Sequence, residues 1–397
     1  MKRWPSLIFN IFAPQGIPLA WRQLTRDKKR FAAAIVGVTF GLFLMIFQLG
    51  MYTAALRGVV LPHSALKGEL VITSRNFTYF YLNHSFPRSL LYQLQGVPGV
   101  ASVAPVCVDF GKWKNTTTGV DTYIAILAIN PSRNPFIHPE LTSQIQLLTN
   151  GENVLFDRQS KEVDFGKVAA ALQEKSDVTS EVDQVRVRVK GLFSMGRTLA
   201  ATGHIVISDE GLARIQPRRL ANMINIGLVT LRAGVDPEEI RHRLSELLPK
   251  DLRVITSKEF QQEEQDYWIS RTAIGFVFRV GMLVGLFVGA IVVYQILYTD
   301  VMDYLREYAT LKALGITNMF LFRIVMTEAV ILLVASAFPS TILSNLLFHE
   351  AWVSAGIPAK LAVSELLAVF ALTAVVWAFA GLLATRRLRT SDPADIY

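Results

Sequence analysis

Six histidines and one cysteine are the side chains of this sequence best suited to bind a metal or to assist catalysis. The histidines are His63, His84, His138, His204, His242 and His349. They are scattered along the chain without the short spacings typical of a zinc site, so we predict no metal site. Cys107 lies in a predicted strand over 102–110 and has no second cysteine to bridge, so we predict a buried structural thiol.

Nucleotide-binding and hydrolytic motifs are absent from the sequence. Gly-Lys pairs occur at 111–112 and 166–167, but both lack the preceding glycine and the following Ser or Thr of a P-loop. HExxH and GxSxG do not occur either. We therefore expect a protein that is not an enzyme and that holds no cofactor of its own.

The strongest local pattern lies between Asp300 and Gly315. Apolar residues recur there at helical spacing and form one stripe: Val301, Tyr304, Leu305, Tyr308 and Leu311. The polar residues of the other side are Asp303, Arg306, Glu307 and Thr310, followed by Lys312. Gly315 is placed to end the helix. The pattern predicts a short amphipathic helix parallel to a membrane, either a docking element for a cytosolic partner or a passive surface helix.

Four long apolar runs position this segment. They cover residues 31–51, 273–298, 324–347 and 361–383. Each has the length of about 20 residues that a helix needs to cross a bilayer. The sequence therefore predicts an α-helical membrane protein with four transmembrane helices in a 1+3 arrangement, with residues 52–272 inserted between helices 1 and 2.

The flanking charges predict the orientation of these spans. Basic residues precede the first run and follow the last: Lys2, Arg3, Arg22, Arg26, Lys28, Lys29, Arg30, Arg386, Arg387 and Arg389. Such flanks mark the cytoplasmic side. We expect residues 1–30, 299–323 and 384–397 in the cytoplasm, and 52–272 and 348–360 outside. The long basic lead favours an uncleaved anchor over a signal peptide.

The composition agrees with a chain that lies partly in lipid and partly in water. Hydrophobic residues make up 51% and charged residues 18%. The net charge of +8 is concentrated at the span flanks, which argues against nucleic-acid binding. Residues 18–30 combine Leu19, Trp21 and Leu24 with basic side chains, so they form either an amphipathic helix against membrane lipid or a plain basic flank.

The external region predicts a large α+β domain. Val- and Ile-rich strands are expected at 69–73, 101–110, 122–129, 153–156, 185–189 and 204–207. Helices are expected at 87–95 and at 237–248, the second with Asp236 as its N-cap. Residues 257–272 either continue the second span outward as a helical stalk, with Tyr267 and Trp268 as interfacial anchors, or form a loop.

Several polar and small residues interrupt the spans. Arg279 and Glu328 lie close enough to opposite interfaces to snorkel, and structural anchoring and a role in coupling both stay open. Arg323 or a basic residue of the N-terminal segment could pair with Glu328. Gly281, Gly285 and Gly289 recur at four-residue spacing, which suits a dimer or helix-packing face.

The segment from Arg306 to Gly315 resembles the coupling helix of the type VII ABC transporters, whose permeases include MacB, LolC/LolE and FtsX. The basic entry to the first span, Glu328 and the tail over 389–395 are also similar to that family. Residues 294–308 and 97–105 look closest to the DevC-like permeases of cyanobacteria. MacB carries its nucleotide-binding domain on the same chain, whereas this sequence has no P-loop.

The resemblance implies a function for the chain. It would be the permease subunit of a mechanotransmission-type ABC exporter in a bacterial inner membrane, cyanobacterial-like, working as a homodimer with ATP bound by a separate ATPase subunit. Its coupling residues would be Tyr304, Leu305, Arg306, Glu307, Tyr308, Leu311, Lys312 and Gly315. Partners would include a periplasmic adaptor and a TolC-like outer-membrane channel, with a glycolipid or other amphiphile as the substrate. The alternative is an FtsX-like signalling protein that activates a periplasmic partner without transport.

Overall fold

The structure, a computed structural model, describes residues 19–115, 119–160, 178–220, 222–355 and 359–385. Some residues used in the sequence analysis lie outside these ranges. They are the basic residues at 2–3 and 386–389 and the tail motif over 389–395. The chain divides into two compact units. We call Met1–Thr53 with Phe276–Tyr397 the helical unit, and Ala54–Gly275 the large domain.

The helical unit is built around long apolar helices. Its helices are α1 (Leu19–Arg26), α2 (Lys28–Val59), α9 (Ala273–Asp303), α10 (Leu305–Ala313), α11 (Asn318–Ala355) and α12 (Val363–Ala384). Among the described residues, four of them are long and apolar enough to cross a membrane: α2, α9, α11 and α12. The predicted 1+3 arrangement around a large inserted domain is confirmed.

The apolar helices extend beyond the apolar runs of the sequence. α11 has 38 residues, whereas the run inside it covers only 324–347. The run measures the part suited to hydrocarbon, but backbone hydrogen bonding continues into the polar flanks. Leu42, Val293, Leu297 and Trp377 pack together in the interior of this unit.

The large domain is an α+β fold, as predicted. Its strands are β1 (Leu70–Ser74), β2 (Phe86–Pro87), β3 (Val100–Lys114), β4 (Asp121–Ile129), β5 (Asn153–Asp157), β6 (Val178–Val182), β7 (Val185–Phe193), β8 (His204–Ser208), β9 (Met223–Ile224), β10 (Ile226–Leu231) and β11 (Leu252–Thr256). Its helices are α3 (Leu61–Ala65), α4 (Arg88–Gln93), α5 (Pro139–Gln144), α6 (Asp209–Ile215), α7 (Pro237–Leu247) and α8 (Ser257–Ser270), with 3₁₀ turns at Leu94–Gly96 and Ile145–Thr149.

Nine of the described strands form one mixed sheet in the order β11-β1-β10-β3-β4-β8-β5-β7-β6. Most neighbours are antiparallel, while β4–β8 and β5–β7 are parallel. Trp113 near the end of the long strand β3 also pairs with Val182 of β6. The strands from β3 to β6 therefore close into a barrel-like ring, while β10, β1 and β11 extend the sheet on the other side of β3.

Apolar side chains cover both faces of the central strands. Along β4, alternate residues enter two different clusters, with Ile124, Ile126 and Ala128 in one and Ala125, Leu127 and Ile129 in the other. Side chains of a strand point alternately to the two faces, so a strand buried on both faces has a continuous apolar run. Cys107 is buried in the first cluster, as predicted, and burial raises the pKa of its thiol.

Two helices of the large domain begin where the sequence indicates. The side chain of Asp236 accepts from the N–H of Glu238 at 3.0 Å and caps α7. Thr256 and Glu259 form a reciprocal capping box at the start of α8. These contacts satisfy backbone donors that the first helical turn leaves without partners.

The predicted continuous stalk is wrong. α8 ends at Ser270 and α9 begins at Ala273 as a separate helix. At Gly275 a side-chain Cβ would overlap the carbonyl oxygen of Ile269, so the backbone is folded too tightly there for any residue but glycine. Tyr267 and Trp268, expected as interfacial anchors, pack against Tyr79 within the large domain.

Candidate coupling site

The backbone features at both ends of α10 follow from its sequence. α9 ends at Asp303, Tyr304 forms a turn, and α10 begins at Leu305. At the other end Gly315 has φ +90°, a left-handed conformation that glycine adopts without a steric penalty. The N–H of Ile316 donates to the carbonyl of Leu311 at 3.0 Å, which satisfies one of the last helical carbonyls. The helix therefore stops at the predicted glycine.

One side of α10 packs into the core of the helical unit. The buried or partly buried side chains of the predicted stripe are Val301, Tyr304, Leu305, Tyr308 and Leu311. The exposed side chains are Asp303, Arg306, Glu307 and Thr310. Lys312 belongs to the helix, and its side chain lies outside the described part of the chain. The amphipathic pattern is confirmed, and its role as a coupling element stays a prediction.

The first turn of α2 holds the end of α9 through Arg30. Nη2 of Arg30 lies 2.6 Å from Oδ1 of Asp300, and the same guanidinium pairs with Asp303. Asp27 caps α2 by accepting from the N–H groups of Lys29 (2.9 Å) and Arg30 (3.1 Å). The contact with Asp303 is a charge-assisted hydrogen bond, which is strong and directional, whereas the contact with Asp300 is an ion pair. Arg30 therefore joins the start of α2 to the last turn of α9.

The short helix α1 contacts the α9–α10 turn at Gln23 and Arg26. The hydroxyl of Tyr308 donates to Oε1 of Gln23 at 3.2 Å, and that of Tyr304 to the carbonyl of Gln23 at 3.4 Å. Burial raises the pKa of the Tyr308 phenol, so it stays protonated and remains a donor. Arg26 lies over the Tyr304 ring and 3.9 Å from Glu307. Residues 18–30 thus include a packed helix and not only a plain basic flank.

These contacts add partners to two side chains of the predicted polar side. Asp303 and Glu307 are exposed, as the sequence predicts, and each also contacts an arginine of the N-terminal segment. Arg306, Thr310 and Leu314 are exposed as well and follow one another at four-residue spacing on α10 and its end. A cavity of about 250 Å³ lies between the N-terminal segment and the α9–α10 turn, lined by residues that include Gln23, Arg30, Asp300 and Tyr304.

Glu328 is placed differently from the expectation that it snorkels to an interface. Its side chain is fully buried in α11, and neither carboxyl oxygen has a hydrogen-bond partner among the described residues. Arg323 is exposed and forms no ion pair with it in the part of the chain that the structure describes. Arg30 and Asp300 are charged groups close enough to influence the Glu328 carboxyl. Arg30 forms ion pairs with Asp300 and Asp303, and it forms none with Glu328 among the described residues.

Arg279 and the glycine row lie on α9. Arg279 is exposed near the start of the helix. A Cβ at Gly281 would meet the side chain of Gln48, and one at Gly285 would lie 3.1 Å from the backbone nitrogen of Met45. Gly289 faces Gly41, where a Cβ would lie only 2.7 Å from the Cα of Gly289. The row thus packs α9 against α2 within one chain, where small residues permit close approach.

The large domain contains a buried polar network that the scattered histidines did not reveal. The hydroxyl of Tyr81 lies 2.5 Å from Nε2 of His204, and Nδ1 of His204 lies 3.5 Å from Oδ2 of Asp157. Burial raises the pKa of the Tyr81 phenol, which makes it the donor. Asp157 also accepts from the N–H groups of Gln159, Met195 and Gly196. Nδ1 of His204 makes no hydrogen bond among the described residues. All three groups are buried, and three backbone donors hold Asp157, which favours a structural network over a reactive one.

Gln23, Arg30 and Asp300 are the site residues that sequence reasoning missed. One signal could have found them: Gln23, Arg26 and Arg30 are spaced by three and four residues, and so are Asp300, Asp303 and Glu307. A polar and basic set and an acidic set with the same helical spacing are candidates to pair. As for metals, the described residues include no group of three or more His, Cys, Asp or Glu side chains placed to hold an ion.

Comparisons with known proteins find a family match in the helical unit. Residues 279–393 match the FtsX-like permease C-terminal family, a segment that contains α10 and most of the apolar helices after the large domain. This match confirms the family resemblance of the α10 segment. No curated protein matches the chain in sequence.

Two solved structures are similar to about half of the chain. The periplasmic region of MacB from Actinobacillus actinomycetemcomitans matches with 13% identity and a TM-score of 0.35, covering 50% of this chain and 93% of that one. The extracellular domain of the ABC-type transporter YknZ from Gram-positive bacteria matches with 15% identity and a TM-score of 0.32, covering 47% of this chain and 98% of that one.

Proposed function

We propose that this chain, an FtsX-like permease of the type VII ABC transporter superfamily, couples ATP hydrolysis by a separate ATPase subunit to movement of its large domain. The observation that carries the proposal is the family match over 279–393, which includes α10. Because the sequence has no P-loop, nucleotide binding is assigned to the partner.

The docking surface for the ATPase would be the exposed side of α10. Arg306, Thr310 and Leu314 follow one another at intervals of four residues and share one helical side. Leu314 is 76% exposed directly before the Gly315 stop. Contact with a protein partner would bury the apolar side chain of Leu314 and could pair the charge of Arg306, whereas water leaves Leu314 exposed. Tyr304, Leu305, Tyr308 and Leu311 would instead transmit force, since they pack into the helical core.

The finer parts of the proposal concern orientation and substrate. Both termini and α10 would face the cytoplasm and the large domain the periplasm of a bacterial inner membrane, which the basic flank 26–30 supports. Two copies would form a homodimer that acts with a periplasmic adaptor and a TolC-like channel. The substrate would be a glycolipid or another amphiphile. The resemblance of residues 294–308 to DevC-like permeases supports this choice.

Purification of the full chain from its native membrane tests the ATPase assignment. Leu314→Asp should lower the yield of co-purified ATPase at least tenfold, because a charge replaces the apolar side chain at the docking surface. The matched control is Leu247→Asp, a leucine 60% exposed on α7 of the large domain. Equal losses in both variants, or no ATPase with the unaltered chain, would refute the assignment.

Reconstitution distinguishes transport from signalling. The chain, its ATPase and the co-purified periplasmic partners are assayed for ATP-dependent release of labelled glycolipid. Release supports the exporter. ATP-dependent activation of a periplasmic partner without release would instead favour the FtsX-like signalling alternative.

A further inference from the structure

The N-terminal segment, residues 19–30, contacts α10 and the end of α9 through a set of side chains that the family match does not cover. We propose that Arg30 is a positioning residue that keeps this segment and α10 together as one rigid body throughout the ATPase cycle. A force on α10 would then reach α2 as directly as it reaches α9. This inference rests on the proposed function of α10.

The contact of Arg30 with Asp300 and Asp303, which we call the inner contact, is suited to transmit force between α2 and α9. Arg30 touches Asp300, which is 6% exposed, at 2.6 Å, and it also contacts the more exposed Asp303. Asp27 accepts from the backbone N–H of Arg30 and so fixes its backbone in the first turn of α2, while the two aspartates position its guanidinium. Ion pairs shielded from water are screened less than exposed ones, and removal of one partner leaves a buried charge without compensation.

A second set of contacts holds α1 on two sides. Gln23 receives hydrogen bonds from Tyr304 and Tyr308, one on each of its two oxygens. The next residue, Leu24, points to a different side and is buried in a cluster with Ala34 of α2 and Leu332 of α11. α1 is therefore anchored to the same core into which α10 packs and does not merely rest on a membrane surface.

The outer contact between Arg26 and Glu307 has a different character. The two side chains are 73% and 62% exposed and lie 3.9 Å apart. Exposed pairs of this kind contribute little to stability. The rigid connection is therefore assigned to Arg30 and Gln23, at the point where α9 ends and α10 begins.

Charge-neutral substitution tests the role of Arg30. In the complex with its ATPase, Arg30→Gln should lower the amount of substrate released per ATP hydrolysed at least fivefold, while the amount of folded complex and its ATP hydrolysis persist. Arg30→Lys should restore only part of the ratio, because an ammonium cannot bridge two carboxylates in the same fixed geometry. Arg22→Gln is the matched control, since Arg22 is an exposed arginine of the same N-terminal segment.

Cross-linking tests the rigid body itself. Arg26→Cys with Glu307→Cys, an exposed pair outside the proposed rigid connection, is introduced in a Cys107→Ser background. A short bifunctional thiol reagent that a reductant cleaves joins the two cysteines. Because the two positions stay together in the proposal, the cross-linked complex should release at least half as much substrate per ATP as the reduced one. Loss of release on cross-linking that the reductant restores would overturn the proposal, as would an Arg30→Gln variant with the release ratio of the unaltered chain.

Failure of the inference is distinguishable from failure of the proposed function. If no ATPase associates with the unaltered chain, the proposed function fails. The distance between spin labels at positions 26 and 307 of the full chain in nanodiscs then still tests whether the N-terminal segment and α10 move together. A single narrow distance distribution supports a rigid connection, and a broad or bimodal one refutes it.

Discussion

The large domain and the helical unit each bury a glutamate, and they treat the two carboxyl groups in opposite ways. Glu264 is 1% exposed and Glu328 is 0% exposed. Glu264 accepts from the N–H of Phe80 at 2.8 Å and from Nε1 of Trp268 at 2.9 Å, and it lies 3.5 Å from Nε2 of His63. Neither oxygen of Glu328 has a hydrogen-bond partner among the described residues.

The difference follows from the surroundings of each unit. A domain in water retains a buried polar group mainly when hydrogen bonds replace those lost to solvent, and Glu264 meets that condition by tying α8 to the loop before β2. The helical unit has an apolar exterior, with Phe276, Phe287 and Phe338 each more than 60% exposed. Ionisable groups within such a unit are rare and mark functional sites. Packing explains Glu264 and leaves Glu328 unexplained, which favours a role in coupling for Glu328.

Replacing each glutamate by methionine, which has a similar length and shape, should change the stability of the chain very differently. This is the largest effect that we predict. Glu264→Met removes the acceptor of one buried and one partly buried donor. Each is worth about 1–3 kcal/mol, so the chain should lose about 2–6 kcal/mol of stability. Glu328→Met removes no hydrogen bond among the described residues and should leave stability unchanged or higher. Thermal unfolding of the full chain in detergent measures both.

An assay of substrate release per ATP hydrolysed should rank the two variants in the reverse order, with the larger loss for Glu328→Met. Glu328→Met should lower coupling between ATP hydrolysis and release while folding persists. Glu264→Met should lower activity only in proportion to the folded fraction. If Glu328→Met unfolds the chain as readily as Glu264→Met, the contrast between the two units does not hold.

The close contact of α2 with α9 gives a second test of the packing within the helical unit. Gly41→Ala places a methyl 2.7 Å from the Cα of Gly289, so the two helices must separate. Such overpacking costs about 1–3 kcal/mol. Gly289→Ala places its methyl 3.9 Å from the nearest atoms and should be tolerated. The thermal midpoint and the yield of folded protein compare the two variants, and equal effects would contradict the described packing.

Much of the fold follows from local patterns. Strand β4 was predicted at 122–129 and extends over Asp121–Ile129, because its apolar run covers both buried faces. The caps at Asp236 and Gly315 are local as well, since they require only a residue type at a helix end.

The remaining features depend on contacts between distant parts of the chain. Arg30 and Asp303 are 273 residues apart, and Tyr81 and His204 are 123 apart. No spacing within one segment indicates such partners. The interruption between α8 and α9 was missed for a different reason. Residues 257–272 have helical propensity throughout, and the break depends on a tight fold at Gly275 that propensity does not describe.

The smallest predicted effect concerns the capping box of α8 in the large domain. The hydrogen bond from the N–H of Thr256 holds the pKa of Glu259 below its usual range, and Arg241 at 3.1 Å lowers the pKa further. A lowered carboxyl pKa gives stability that is present above the pKa of the unfolded state and is lost as the pH falls through that of the folded state. Because the side chain is 41% exposed, solvent screening limits this contribution to about 0.5 kcal/mol.

Glu259→Gln should therefore flatten the acid side of the thermal stability curve of the full chain between about pH 5 and pH 3. Asp266→Asn, an exposed acid on the same helix, is the matched control, and an equal flattening in that variant would show that general charge, not the cap, governs the acid response.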